Sequence, residues 1–386
     1  MKLICDYPFT HFEINNPDGD VTFCCNHNMV MGNINDNTIE EIWNSDKYQE
    51  VRKKFLDGKI FDICYKSCPV LNGWKDYEKL DWYKNLPEDS EPYKNAVLNE
   101  KEIFDGKTVL KSQPRWIRFA TSYRCNLKCY HCFQDITKQK TDKLPESFFN
   151  EIKENYLMVL QIIFFYGGEP LIEKKNIEIL KYISMNNFLV KIFLVTNGTV
   201  LNDELKDIFR KINLGMVSVS IDSIKPELYE ELRYPADFEN VEKNLKFFSE
   251  IADSKKFEFH LGGTINKKNY LEISQYIDYS LKLKAIPLFQ LAGNSLRNKT
   301  FRREYEIFYP DDFIQLKGRL NNVYEEIKKN PVVSRYTLLN IKNLIDLCSL
   351  KIEENKRLNR LQRFINRKKR IYWNIIRRLF SKKEKR

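Results

Sequence analysis

Between Pro114 and about Gly293 the chain alternates, six times, a short run rich in β-branched and aromatic residues with a longer amphipathic stretch, and few folds accommodate that rhythm. The short runs are "WIRFATSY", "LQIIFFYGG", "VKIFLVTNG", "GMVSVSID", "FEFHLGGTIN" and "AIPLFQLAG". Among the stretches between them are "PESFFNEIKENYL", "FENVEKNLKFFSEIA" and "LEISQYIDYSLKL". A strand followed by a helix and then another strand rejoins its sheet in parallel through a right-handed crossover. The pattern therefore predicts an α/β fold with a parallel sheet, either doubly wound or curled into a partial barrel. In both, ligands gather at the C-terminal ends of the strands, so the residues that close each run are the ones to read for chemistry.

Three further regions flank this core, which is assigned to residues 113–300. Residues 1–74 form a cysteine-bearing unit in which "HFEI" and "VTFC" flank "NNPDGD", a hairpin signal because Asp-Gly tolerates positive φ. A helix is expected over "NTIEEIWNSDKYQEVRKKFLDG", with Asn37 as N-cap and Gly58 at its end. Residues 75–112 are highly charged and read as a linker. Residues 301–386 read as mostly helical and end in a basic tail. That tail, residues 351–386, holds 15 Lys or Arg against Glu353, Glu354 and Glu384, a net +12 in a chain of net charge +11. A basic tail on a near-neutral body argues for a localised anionic partner and against a protein that coats nucleic acid. It reads either as a solvated helix packed on the core or as an amphipathic helix in peripheral contact with an anionic membrane, with Phe364, Trp373 and Phe380 on its apolar side.

No apolar run reaches the roughly 18 residues that span a bilayer, and "MKLICDYPFT" lacks the charged and apolar regions of a secretion signal. The expected compartment is the cytoplasm, with membrane association left to the tail. Nine cysteines in such a chain point to metal ligands or reactive thiols rather than disulfides. Three of them fall in "RCNLKCYHC", directly after the first core strand: Cys125, Cys129 and Cys132. Structural zinc is usually closed by four ligands, whereas a [4Fe-4S] cube on three thiolates keeps one iron open. His131 could complete a zinc site only through an awkward local turn, so it and Tyr130 read as packing. Cys348, in "LIDLCSL", reads as a small core residue, and His260 as structural.

This CX3CXΦC spacing, with His131 in the aromatic slot, resembles the signature of the radical SAM superfamily. The resemblance extends over roughly 180 residues in register with the strand ends. Gly167, Gly168 and Glu169 stand where the family has the Gly-Gly-Glu turn that meets the methionine amino group of S-adenosylmethionine (SAM). Asn197 closes the third strand near the nucleoside; Ser220, Asp222 and Arg233 follow the fourth; Thr264 and Asn266 close the fifth, near the adenosine. Ser223 replaces a frequent glycine. Read singly, each of these residues has an ordinary turn, cap or ion-pair explanation, and their joint placement is what carries weight. The resemblance implies a partial (β/α)6 TIM-like barrel and a [4Fe-4S] cluster on Cys125, Cys129 and Cys132. Its open iron would chelate SAM while Glu169 pairs with the ammonium and Arg233 with the carboxylate.

The first unit resembles a second module, the SPASM or twitch auxiliary-cluster domain, through Cys5, Cys24, Cys25, Cys64 and Cys68 together with "PDGDV" and "EEIWNSDKYQEVR". In the family the module usually follows the barrel, and here the cysteines suffice for one auxiliary [4Fe-4S] cluster. Cys5, Cys24, Cys64 and Cys68 are its expected ligands, with Cys25 as substitute for Cys24; zinc is the competing metal. The resemblance implies an oxidoreductase that reductively cleaves SAM and abstracts hydrogen from a peptide, glycan-type or other small-molecule substrate. A flavodoxin or ferredoxin would serve as reducing partner. The alternative is a non-catalytic metal-binding adaptor that retains the fold.

Overall fold

The computed structural model describes residues 3–24, 27, 29–64, 68, 80–132, 143–292 and 310–357. All six expected core strands are present: β4 (Trp116–Ala120), β5 (Ile162–Tyr166), β6 (Lys191–Thr196), β7 (Leu214–Ser220), β8 (Glu258–Ile265) and β9 (Ile286–Leu291). Every neighbouring pair among them is parallel, giving the order β4-β5-β6-β7-β8-β9. This is the partial (β/α)6 TIM-like architecture.

The first residues do not stand apart from it. β1 (His11–Ile14), which follows the short helix α1 (Tyr7–Thr10), pairs in parallel with β4, His11 opposite Trp116 and Ile14 opposite Phe119. Beyond it β2 (Asp20–Thr22) and β3 (Gly32–Asn33) add antiparallel, so one sheet of nine strands runs β3-β2-β1 and then β4 to β9. The β1–β2 connection holds Gly19 at φ +88°, which a β-carbon would strain, and Asn33 Nδ2 ties it by donating to the Asp18 carbonyl and the Asp20 carboxylate.

The helix expected from Asn37 to Gly58 is two helices. Thr38, not Asn37, caps α2 (Ile39–Trp43), in a reciprocal capping box with Glu41. Ser45 then caps α3 (Asp46–Leu56), because Asn44 spends its side chain on the main chain of Leu110 in both directions. α3 carries Arg52 into the interior, where its guanidinium lies 4.4 Å from the Trp43 ring and donates to the carbonyls of Pro8 and Thr108. These bonds also explain why the stretch read as a linker is not one. Its helix α4 (Glu91–Phe104) holds Asn99 against the Phe9 carbonyl, Trp43 Nε1 donates to Ser112 O, and Glu102 accepts from the Lys111 and Ser112 amides.

Alternate residues of the strands face opposite ways. Ile117, Phe119, Ile163 and Phe165 point to the helical layer and join the main core; Phe119 meets Phe148 and Phe149 of α5 (Glu146–Glu151) at ring-centroid distances of 5.2 and 6.0 Å. Trp116 and Ile162, with Phe164 and Phe193 packed against them, form a separate cluster with Leu80 on the opposite, lumenal face. The remaining layer comprises α6 (Lys174–Asn186), α7 (Asp203–Lys211), α8 (Pro226–Leu232), α9 (Phe238–Lys255) and α10 (Ile273–Lys282). α11 (Pro310–Ile327) and α12, described from 335 to 357, complete it. α12 covers the free edge of β9: Asn340 accepts from the Phe289 amide at 2.7 Å and donates back to its carbonyl at 2.9 Å, which stands in for a tenth strand. Cys348, on the same helix, is fully buried in the core. The part of the tail that carries Phe364, Trp373 and Phe380, from residue 358 onward, lies outside the described residues. Among the described residues no helix is long and apolar enough to cross a membrane.

Candidate functional site

The loop after β4 carries Cys125, Cys129 and Cys132, and the ends of the next three strands, with the end of α8, hold it in place. On one side Gly168 N donates to Ser122 O at 3.1 Å and Glu169 N to Arg124 O at 2.8 Å, so the turn after β5 is zipped to the cysteine loop by main-chain bonds. This approach is why both glycines are needed. A methyl group at Gly168 would lie 1.9 Å from the Arg124 carbonyl oxygen, and Gly167 adopts φ +121°. Ser122 Oγ donates to Glu173 and receives the Arg124 amide, which fixes the first residues of the loop.

Glu169 is 1 % exposed and spans β5 and β6. Its Oε1 accepts from Leu171 N and Thr196 Oγ1 at 3.0 and 2.8 Å, and its Oε2 from Asn197 N at 2.7 Å. Burial pushes its carboxyl above the usual range, against the pull of those donors. Asn197 continues the chain of contacts: its Nδ2 donates to Asn126 Oδ1 at 2.9 Å and to Cys125 Sγ at 3.7 Å. Leu127 N also donates to Cys125 Sγ, at 3.4 Å.

On the other side the loop is held by the end of α8, with Lys128 N donating to Tyr234 O and Tyr130 N to Leu232 O. Beneath lies a buried charge network. The Asp222 carboxylate sits 2.7 Å from Arg233 Nε and 3.2 Å from His131 Nε2, and its Oδ1 accepts from Thr264 N at 2.8 Å. Burial would raise the Asp222 carboxyl, but Arg233 and His131 hold it below the usual carboxylate range. Burial likewise opposes the charge on Arg233, and Asp222 more than compensates. His131 is therefore more than packing: it fastens the cysteine loop to β7. Ser223, the departure from the family's glycine, is used as well, its hydroxyl donating to Glu272 at 2.7 Å. Asn266 is fully buried and shapes the turn after β8, its amide donating to Asn269 Oδ1 and its Nδ2 to Thr264 O. Ser220 ends β7 half-buried beside Gly262. His260 is buried, 3.1 Å from Glu258.

Burial raises the thiols of Cys125 and Cys129, Cys129 to about 12 with Arg233 pulling the other way, so an uncompensated thiolate is costly at those two positions. A cationic metal centre would relieve that cost, and the N–H groups aimed at Cys125 Sγ suit a cluster sulfur. The donor set thus fits a three-thiolate cluster. Among the described residues no three Cys, His, Asp or Glu side chains are closed around one point; the thiols are gathered on one turn without being drawn together.

Cys5, Cys24, Cys64 and Cys68 are half-buried, and Cys25 lies outside the described residues. Burial raises the Cys64 thiol to about 11, with neighbouring Cys68 adding to the effect. Sequence reasoning gave His27 no role, yet it joins two of these segments: its amide donates to Cys24 O at 3.2 Å and its Nε2 donates to Ile63 O at 2.8 Å, while Nδ1 accepts from Met29 N. Its place three residues after Cys24 was the available signal. Since β2 runs antiparallel to β1, Cys24 returns toward the N-terminal end of the parallel strands, where Cys5 also lies, and the loop cysteines sit beyond the other end. The length of β4 separates the two levels, roughly 15 Å at about 3.3 Å per residue.

A half-barrel whose strand ends hold a three-thiol loop, a Gly-Gly-Glu turn and a buried Asp–Arg pair defines a class of cluster-dependent, SAM-using proteins. Sequence comparison agrees: residues 119–277 match the radical SAM superfamily and residues 5–69 match the iron-sulfur cluster-binding domain known as SPASM. The chain is thus a radical SAM protein with a SPASM domain at its N-terminus, and these domains imply a SAM-binding [4Fe-4S] cluster and an additional iron-sulfur centre. It is 27 % identical over 184 residues to the AdoMet-dependent heme synthase of Methanosarcina barkeri, covering 46 % of this chain and 50 % of that protein. It is 30 % identical over 138 residues to the GTP 3′,8-cyclase of Clostridium botulinum, covering 34 % and 43 %. The matches thus span about half the length of these curated relatives, or less. The solved structure of anSMEcpe with bound AdoMet superposes with a TM-score of 0.46 at 19 % identity, over 57 % of this chain and 61 % of that one.

Proposed function

We propose that this chain is a radical SAM oxidoreductase that cleaves SAM reductively at the Cys125–Cys129–Cys132 loop and abstracts hydrogen from an organic substrate in the barrel lumen. The cluster, when bound, supplies the electron that breaks the S–C5′ bond and releases a 5′-deoxyadenosyl radical. The chain's own residues orient SAM. Arg233, held by Asp222, presents its guanidinium beside Cys129 for the methionine carboxylate, while Glu169 and Asn197 shape the turn that receives the ammonium. Thr264 and Asn266 border the nucleoside end. The lumen beyond holds Arg118, which lies 4.0 Å from the Tyr166 ring and 3.6 Å from Glu13, and Gln290, bonded to Thr264 Oγ1. These polar groups suit a peptide or a glycan-type small molecule.

One observation carries the reading: the cysteine loop is bonded through its main chain both to the Gly-Gly-Glu turn and to Leu232 and Tyr234, the residues on either side of Arg233. Anaerobic reconstitution with iron and sulfide, then dithionite and SAM, should yield 5′-deoxyadenosine; a fully loaded preparation that forms none would overturn the proposal.

A further inference from the structure

The two cysteine regions lie at opposite ends of the parallel strands, and a continuous column of aromatic rings runs between them. It begins at Tyr7, two residues after Cys5. Tyr7 stacks on His11 with ring centroids 4.0 Å apart and planes 13° from parallel, and His11 stacks on Trp116 at 4.9 Å and 22°. Trp116 meets Phe164 edge-on at 6.0 Å, and Phe164 meets Tyr166 at 5.9 Å. Phe193 supplies a side branch, 5.2 Å from Trp116 and 5.9 Å from Phe164. Tyr166 directly precedes Gly167, and the next two amides donate to Ser122 and Arg124, the latter adjoining Cys125.

Sheet geometry builds this column. His11 is directly opposite Trp116 across the β1–β4 pair, and Trp116, Phe164 and Tyr166 occupy alternate positions on the lumenal face of β4 and β5. Its lower rings exclude water: Tyr7, His11 and Trp116 are 6, 1 and 3 % exposed. Tyr7 belongs to the main apolar core, but Trp116, Phe164 and Phe193 stand outside it in a small cluster with Leu80 and Ile162, so the demands of that core do not explain the upper part of the column.

We propose that the column Tyr7–His11–Trp116–Phe164–Tyr166 is the electron path between the N-terminal cysteine unit and the SAM-binding loop. This rests on the proposed function. Cleavage of SAM takes one electron from the loop cluster, which passes from the 1+ to the 2+ state. The auxiliary cluster returns one electron along the column, itself passing from 1+ to 2+ as the loop cluster goes back to 1+. No bond changes and no proton moves, and the rings are neither oxidised nor reduced; they replace saturated side chains and gaps, across which tunnelling decays steeply. A low-potential one-electron donor reloads the auxiliary cluster.

The test uses the full chain with both clusters loaded, reduced with dithionite, freed of reductant and mixed with SAM. Freeze-quench EPR follows the reduced auxiliary signal, and chromatography follows 5′-deoxyadenosine. In the parent chain the auxiliary signal should fade once deoxyadenosine has formed. In Trp116→Leu the first deoxyadenosine should form at the parent rate while the auxiliary signal persists an order of magnitude longer or more, and Trp116→Phe should restore its decay. Phe164→Leu, milder in packing, should show the same split if Trp116→Leu loses iron. Decay at the parent rate in Phe164→Leu or an iron-replete Trp116→Leu, or equal decay in the Leu and Phe variants of Trp116, would overturn the path. A parent chain that forms no deoxyadenosine would instead overturn the function on which it rests, and a parent with no second cluster would remove the path's origin.

Discussion

The loop after β4 and the N-terminal unit both gather cysteines, but they do so by opposite means. The loop takes three thiols from eight consecutive positions and leaves their placement to others: turns after β5, β6 and β7 and the end of α8 grip its main chain and side chains. The N-terminal unit draws four from separate stretches, before β1, after β2 and after α3, and among the described residues the hairpin, Arg52 and His27 tie those stretches together. A three-thiol set on one turn is suited to offering an open coordination position, and a four-thiol set drawn from three segments is suited to closing one. Thus the first is read as a place for chemistry and the second as a place for electrons.

The sharpest way to break this comparison is to remove one set of thiols. Replacing Cys125, Cys129 and Cys132 together with Ala should abolish deoxyadenosine formation while about four irons per chain remain on the N-terminal unit. Zinc in place of that residual iron would overturn the auxiliary assignment. Next in size is Asp222→Asn, which leaves Arg233 without its buried counter-charge and should cost about 3–5 kcal/mol in denaturant unfolding, alongside weaker SAM binding. Gly168→Ala sets a methyl group against the Arg124 carbonyl and should cost about 1–3 kcal/mol, with loss of SAM cleavage out of proportion to the stability change. The smallest effect is expected at His27→Ala, about 1 kcal/mol of unfolding free energy, read most clearly as lower auxiliary iron with the loop cluster at full occupancy. Equal loss of iron from both sites would show that the two regions are not held independently.

Legibility in the sequence followed the same division. The six core strands and the residues at their ends could be read directly, because strand, turn and helix alternate over short distances and each functional residue stands just past an apolar run. What escaped depended on partners far away in the chain. Nothing local in "HFEI" announces that it will pair with "WIRFA" across a hundred intervening residues, and so the continuous nine-stranded sheet, and the stretch before Pro114 that ties it together, read as separate domain and linker. Asn44 interrupts a good helical pattern because its amide is taken by Leu110, a contact the helix's own sequence does not encode. His131 fits an aromatic slot by spacing, but only the fold brings Asp222 to its ring nitrogen.

The account rests on one region binding SAM and the other not, and this can be measured directly. Chains carrying a single cluster, either through Cys64→Ala with Cys68→Ala or through Ala at the three loop cysteines, are reduced and titrated with SAM under EPR. The spectrum of the loop cluster should change on adding SAM, and that of the N-terminal cluster should not. A SAM-dependent change at the N-terminal cluster, or none at the loop, would contradict the account.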